Sequence, residues 1–512
     1  MNPELQPLLD VYRVARPSLA AILPVLLIAG FAIVVLLADL FELGTTRGPA
    51  EGEEGTPIMA PYLALVGTAL GLGATLWQAV RLETLGGSYF NGMLVIDGFG
   101  LFLATVILAG TLLTLLLTVG YCRRENIALA EYYHLILLSA AGMLLLAQST
   151  NLVMIFVALE LMSLGVYVLT GFHRRRLRSV EGALKYFILG AFSTGFLVYG
   201  IAFVYGASGT MDLARLPAAL GVGPPPLLLL AGVGLLVVGF GFKVALVPFH
   251  MWSPDVYEAA PPPVTGFMAT AVKAAAFAAF ARLLMATSDP LAGQWVPVLW
   301  VLAVLTMFVG NVAAIRQDDI KRMLAYSSIA HAGYLAVALI AASGLGDAAF
   351  LYYLAVYTLM TLGAFGVVVA VGEKGMENTS IERDYAGLGY RHPLLAVAMA
   401  LFMFSLTGIP PTAGFFGKFA IFSAAVDAGY VSLAFLMVIA SAISAYYYLK
   451  VVVAMYMRAA EPRAVPNRMY AMAGVALFVT ALGVVALGVF PGGWLDLARA
   501  SADGLHRVAG IR

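Results

Sequence analysis

Cysteine is almost absent from this chain. One residue, Cys122, stands among 512. With six scattered histidines this leaves no material for a disulfide framework, a cysteine-held iron–sulfur cluster or a c-type haem motif. If the protein takes part in redox chemistry, it does not carry the electrons. Charge is scarce as well, at 11% of residues, against roughly 25% in an ordinary soluble domain. The 29 basic and 28 acidic residues nearly cancel, which argues against nucleic acid as a partner. What fills the chain instead is apolar: 62% of residues are hydrophobic and the mean hydropathy is +0.93. A water-exposed globule of this size needs far more polar surface.

A bilayer span takes about 20 mostly apolar residues, and the sequence supplies fourteen such windows. They cover 18–40, 58–80, 94–119, 129–148, 151–172, 182–205, 227–249, 263–286, 295–314, 321–343, 347–371, 393–425, 430–457 and 470–490, and are called helices 1 to 14 below. The expected fold is therefore an all-α polytopic membrane protein. The run from Ser18 to Ala38 is too long for a signal peptide and lacks a clear cleavage site, so it reads as the first span. The largest polar interruptions, Glu42–Pro57 and Glu373–Arg391, read as surface loops. Loops after odd-numbered helices hold sixteen Lys and Arg, the other flanks eight, and the run Arg174-Arg175-Arg176-Leu177-Arg178 is the sharpest marker. By the positive-inside rule both termini face outward, although Arg13 and Arg16 before helix 1 pull the other way.

Two helices are interrupted alike. Helix 7 reads GFGFKVALVPFH (Gly239–His250) and helix 12 reads SLTGIPPTAGFFGKF (Ser405–Phe419), each with glycines, a proline break and one lysine. They stand five helices apart, and an odd spacing inserts a repeat upside down. Inverted repeats with matching broken helices point to an ion pathway at mid-membrane; the plainer reading is that Gly and Pro are common in spanning helices.

Charges at bilayer depth call for an explanation, since each costs roughly 2.5–3.5 kcal/mol or more. Glu160 lies mid-way along helix 5, too deep to snorkel. Lys243 in helix 7, Lys273 among the alanines of helix 8 and Lys418 in helix 12 are similarly deep. Each reads as a proton-relay group or as half of a structural ion pair. Lys185, near the start of helix 6, and Lys450, beside Tyr446, Tyr447 and Tyr448, can snorkel. His331 in YSSIAHAGYL is either a hydrogen-bonded core histidine or a relay group. His250 and Asp255, with Glu258, follow the break in helix 7 and line an expected cytoplasmic intake, while helix-end placement accounts for His134, Asp97 and Asp39. A movable Glu–Lys pair is a switch of sufficient size. At 4 Å and an effective dielectric near 20 the attraction is about 4 kcal/mol, and lifting one proton across 100 mV takes about 2.3 kcal/mol.

The stretches GFKVALVPFHMWSPDVYEAAPPPV (Gly241–Val264), KRMLAYSSIAHAGYLAVAL (Lys321–Leu339) and SLTGIPPTAGFFGKFAIFSAAV (Ser405–Val426) resemble the antiporter-like membrane subunits of bacterial respiratory complex I, and among them the subunit N type. The likeness runs from about helix 4 to helix 13. It implies about fourteen helices in two inverted five-helix repeats (helices 4–8 and 9–13) with broken helices 7 and 12. The corresponding divisions are 1–125 for helices 1–3, 126–290 for the first repeat, 291–458 for the second and 459–512 for helix 14 and the tail. Position by position, Glu160, Lys185, Lys243, Lys273 and Lys418 match the family's relay residues, and His331 falls where a polar bridge joins the halves. The Pro261-Pro262-Pro263 run departs from the usual pattern, which has a non-proline in the middle. The resemblance implies a non-redox, proton-translocating subunit in the bacterial inner membrane, with NADH, FMN, iron–sulfur clusters and quinone handled by other chains. No cofactor or metal is expected in this one. Its expected partners are protons, lipid, the neighbouring antiporter-like subunit M and the small K, J and A subunits. The alternative is a subunit of an Mrp-type cation/proton antiporter, which would call for a carboxylate-rich site where this row is dominated by lysine.

Overall fold

A computed structural model describes residues 17–45, 59–125, 127, 130–220, 224–341, 344–373, 375–376, 379–459 and 471–508. Most of the Glu42–Pro57 interruption, and Arg13 and Arg16, lie outside the described residues. The chain is an all-α bundle. Among the described residues thirteen helices are long and apolar enough to cross a membrane, because continuous runs of Leu, Val, Ala and Ile leave the backbone to bond within its own helix. Helix 12 appears as two short pieces, Pro393–Thr407 and Ala413–Asp427, and helix 7 as Leu227–Val244 followed by Trp252–Ala259. In both, the first piece ends on a left-handed residue, Ala245 (φ 62°) or Gly408 (φ 91°), with a proline three positions on.

Helices 8, 10 and 11 are the most enclosed. Alanine and glycine make that possible, since small side chains let backbones approach in the absence of a hydrophobic force between helices. Helix 8 carries a π-turn over Met268–Val272 that ends immediately before Lys273; such extra residues re-aim the side chains that follow.

One backbone pattern occurs twice. The amides of Leu152 and Leu213 bond the carbonyls of Met211 and Thr150, tying the start of helix 5 to the end of helix 6. The amides of Ile320 and Ile381 bond those of Thr379 and Asp318, tying the start of helix 10 to the chain after helix 11. Every partner is displaced along the sequence by the same interval. Helix contacts follow the same interval. A Cβ on Gly142 would sit 2.6 Å from the Met162 amide, and one on Gly310 would sit 2.7 Å from the Ala330 amide. The two bonded pairs lie at opposite ends of the bundle. Arg322, at the start of helix 10, bonds Asp255, which also holds Lys185 near the start of helix 6, while the first pattern joins the far ends of helices 5 and 6.

Several features differ from the sequence reading. Residues in the Glu373–Arg391 segment pack inward rather than lying on the surface: Ile381, Tyr385 and Leu388 are fully buried. Helix 6 begins at Leu177, so Lys185 stands two turns in rather than three residues in. A hairpin pairs Gly87–Tyr89 with Leu94–Ile96 ahead of helix 3, and an amphipathic helix, Pro491–Val508, follows helix 14. Asp97 is not a simple helix-end charge. It forms a bidentate bond of 2.8 Å with Arg282, which is buried in helix 8 and also donates to the Ala147 carbonyl.

The close approaches give a direct expectation. Gly142→Ala and Gly310→Ala each force two helix backbones apart and cost about 1–3 kcal/mol, read as a lowered thermal midpoint of the purified protein. Gly195→Ala, with nothing near its Cβ position inside the helix Leu177–Ser208, does not lower the midpoint and raises it slightly, because alanine favours the helix over glycine.

Candidate proton path

Lys243, Lys273 and Lys418 expose only 5%, 2% and 7% of their surface. Among the described residues none of the three has a carboxylate within ion-pair distance. Each is held by neutral oxygens instead. The Lys243 ammonium donates to the Ser163 and Tyr167 hydroxyls at 2.9 and 3.0 Å and lies 5.3 Å over the Tyr167 ring. Lys273 donates to the Ser328 carbonyl and hydroxyl at 2.7 and 2.5 Å. Lys418 donates to the Leu406 and Thr407 carbonyls at 2.9 Å each and to Ser441 at 3.0 Å. Those two carbonyls end the first piece of helix 12, so the break frees them from helical partners. The negative end of that half-helix then faces a positive charge.

Glu160 is half-buried and accepts a 2.7 Å hydrogen bond from Thr194 of helix 6. It sits one turn before Ser163, the partner of Lys243, but no ion pair joins Glu160 to Lys243 among the described residues. The carboxylate lies beside the outer face of helix 5, marked by exposed Val153, Val157, Leu164 and Val168. His331 is fully enclosed, with Tyr353 on Nδ1 at 2.5 Å and Tyr448 on Nε2 at 3.0 Å. Tyr334, edge-on to the imidazole, has the Lys418 ammonium 5.0 Å from its ring, and Tyr357, tilted against the imidazole, donates to the Ser328 hydroxyl that holds Lys273.

Lys185 belongs to a different environment. It is half-exposed and pairs with Glu181 at 2.8 Å and Asp255 at 3.0 Å. Arg322 bridges Asp255 and Glu258 at 2.8 Å each, and Arg178 reaches Glu258 at 3.2 Å. Arg178, Glu181, Lys185, Asp255 and Glu258 line a cavity of about 190 Å³ beside the break in helix 7. His250 stands in that break, with Nδ1 buried. A cavity of about 560 Å³, between the hairpin, Asp212 and the last helix, shares no residue with the lysine row.

Two buried cations escape sequence reasoning. Lys321 donates to the Glu258 and Ala260 carbonyls at 2.6 and 2.7 Å, at the end of the second piece of helix 7, whereas Lys418 bonds the carbonyls that end the first piece of helix 12. Standing next to Arg322 at a helix start, it reads as a loop charge. Arg282 reads as a helix flank. Only its depth in an alanine-rich window could have flagged it.

The profile described as "NADH:quinone oxidoreductase/Mrp antiporter, TM" matches residues 149–444. A protein of Trichlorobacter lovleyi named NADH-quinone oxidoreductase subunit N is 44% identical over 484 residues, 94% of this chain and 96% of that protein. The chain belongs to the NADH-quinone oxidoreductase subunit N family. It is a multi-pass membrane subunit of that enzyme. The solved structure of respiratory complex I from Thermus thermophilus with bound aureothin holds a chain 36% identical to this one, with a TM-score of 0.76 over 93% of this chain and 99% of that one. The Mrp complex from Dietzia holds one at a TM-score of 0.79 but 21% identity over 94% of this chain and 98% of that one, which shows a shared fold.

In this family member Asp255, outside the spans, pairs with both Lys185 and Arg322. Burial pushes its carboxyl up, but the bonds from Lys185 and Arg322 outweigh that and hold it below the ordinary value. A depressed carboxyl stabilises the fold above its unfolded pKa of about 3.9 and loses that contribution as pH falls through the folded value. Asp255→Asn therefore destabilises the fold slightly at pH 7, by about 1 kcal/mol or less for so exposed a cluster, which is read as a small drop in the thermal midpoint. The difference from the native protein fades only below the ordinary carboxylate range.

Proposed function

We propose that the chain carries protons across the membrane through Glu160, Lys185, Lys243, Lys273, His331 and Lys418, driven by redox chemistry in other subunits of NADH-quinone oxidoreductase. The observation that carries this reading is the set of three buried lysines held by neutral oxygens. A carboxylate partner would fix the charge of an ammonium in place. A serine or tyrosine hydroxyl accepts from an ammonium and donates to a neutral amine, so the site serves both protonation states. Burial of an unpaired amine for structural ends alone would be a large and avoidable expense.

The recurring hydrogen-bond pattern, the matching glycine contacts and the two broken helices support two inverted repeats over helices 4–8 and 9–13. In this reading His250, Asp255 and the charged cavity around Lys185 form the cytoplasmic intake, the arginine-rich Arg174–Arg178 segment faces the cytoplasm, and both termini face outward from a bacterial inner membrane. NADH, FMN, iron–sulfur clusters and quinone are bound by partner chains, and this subunit works without electron transfer of its own. Glu160 belongs at a subunit contact rather than against lipid, because a carboxylate at mid-membrane on an open face is costly until a neighbour covers it. The small K, J and A subunits and the antiporter-like subunit M are the candidates. The greater identity to subunit N proteins favours this reading over an Mrp antiporter.

Lys243→Ala and Glu160→Ala in the assembled complex reduce proton pumping by about tenfold or more. Lys450→Ala has little effect, since Lys450 donates to the Gln317 carbonyl at 3.3 Å and makes long contacts of 3.6–3.9 Å to Glu382 and Asp318 near a helix end, away from the row. Pumping by inverted vesicles is the measurement, and equal tolerance of all three changes would contradict the proposal.

A further inference from the structure

The imidazole of His331 is bonded at both nitrogens, and both partners are tyrosines. Tyr353 of helix 11 meets Nδ1 at 2.5 Å and Tyr448 of helix 13 meets Nε2 at 3.0 Å. The Tyr448 hydroxyl has a second partner, the Ser327 hydroxyl one helical turn before His331. All four side chains are buried. Ser327 adjoins Ser328, which holds Lys273. On the other side, the Tyr353 ring packs on helix 12 so closely that a Cβ on Gly417 would lie 2.5 Å from it, one residue before Lys418. Hydrogen bonds join Ser327, Tyr448, His331 and Tyr353 in one run; Lys273 is held by Ser328 next to its first member, and Lys418 follows Gly417, against which the Tyr353 ring packs at the other end.

A neutral imidazole has one N–H and one lone pair. One tyrosine must therefore donate to it while the other accepts, and the two tautomers exchange these roles. We propose that Tyr448 and Tyr353 are positioning residues that make His331 a tautomer switch, passing one proton at a time between the Lys273 and Lys418 sides. This deepens the relay reading and rests on it.

Start from the tautomer with the hydrogen on Nδ1, donated to Tyr353. The Tyr448 O–H then donates to Nε2, and the Ser327 O–H donates to Tyr448. A proton reaching Ser327 displaces the serine's own proton to the Tyr448 oxygen, and the tyrosine's own proton passes to Nε2. Each hydroxyl gains one O–H bond and loses one, so only the imidazole changes charge. The imidazolium then releases its Nδ1 proton to the Tyr353 oxygen as the tyrosine's own proton leaves toward Lys418. The hydrogen now rests on Nε2 and every donor is reversed. A second proton cannot follow until the ring and hydroxyls reset. The same steps run backwards with equal bookkeeping, so the device meters protons in either direction and does not choose one.

The test uses the assembled complex in inverted vesicles, reading protons translocated per NADH oxidised. Tyr448→Phe and Tyr353→Phe keep the rings and remove only the hydroxyls. Each is expected to lower translocation about tenfold, to the level of His331→Asn, while Tyr446→Phe on the exposed side of helix 13 changes nothing. The combined Tyr448→Phe/His331→Asn variant is expected to be no worse than His331→Asn alone, because residues acting as one unit are not additive. A merely structural tyrosine would add its loss. Should Tyr448→Phe fail to assemble, Ser327→Ala cuts the same chain with a smaller change in volume. Native translocation in both tyrosine variants, or additive losses in the double variant, overturns the switch. Lys418→Ala separates the two levels: if it abolishes pumping while the tyrosine variants pump normally, the relay stands without the switch. If Lys418→Ala also pumps normally, the relay itself falls.

Discussion

The structure depends on how a charged amine is accommodated in hydrocarbon. Three lysines lie deep in the bundle, and each finds oxygens that carry no formal charge. That choice dictates local architecture. Helix 12 must break so that Leu406 and Thr407 can offer carbonyls to Lys418, and helix 8 takes a π-turn just ahead of Lys273. The alanines around Lys273 and the glycines between helices 4 and 5 and between 9 and 10 hold the helices close enough for hydroxyls on one helix to serve an amine on another. Where charges are fully paired, as in Asp97 with Arg282, the bond is bidentate and ties three segments together. Such a pair suits a joint, and an uncommitted amine suits transfer.

Much of this was legible from the residues alone, because charge in an apolar window is a strong signal. Glu160, Lys243, Lys273 and Lys418 stood out for that reason, and the paired glycine–proline interruptions located both broken helices. Lys321 and Arg282 were hidden by their position near helix ends, where a cation normally snorkels. The polar partners were hidden more thoroughly. Ser163, Ser328, Tyr353 and Tyr448 follow no period, and hydroxyl residues are too common in spanning helices to mark a site. Only the packing of helices 10, 11 and 13 around one imidazole shows what they do. The inward packing of Ile381, Tyr385 and Leu388 was masked by the charged residues between them.

The two halves are related but not equivalent in chemistry. In the first, an amine on the broken helix meets hydroxyls of helix 5. At the place that corresponds to Ser163 by the recurring interval, the second half has His331, and the amine of its broken helix lies beyond the break. A group able to reverse its donor and acceptor nitrogens thus stands between two groups that cannot. The half-buried Glu160 edge and the half-exposed Lys185 cluster are the parts of the row that a partner chain or solvent can reach.

If the amines exchange protons, a hydrated polar path must join them. The most direct measurement is a map of the assembled complex at a resolution that shows ordered water. The account predicts water bridging the Glu160–Thr194 edge to Ser163 and Lys243, and again between Tyr353 and Lys418. Apolar side chains filling both intervals, with no water between the amines, would contradict it.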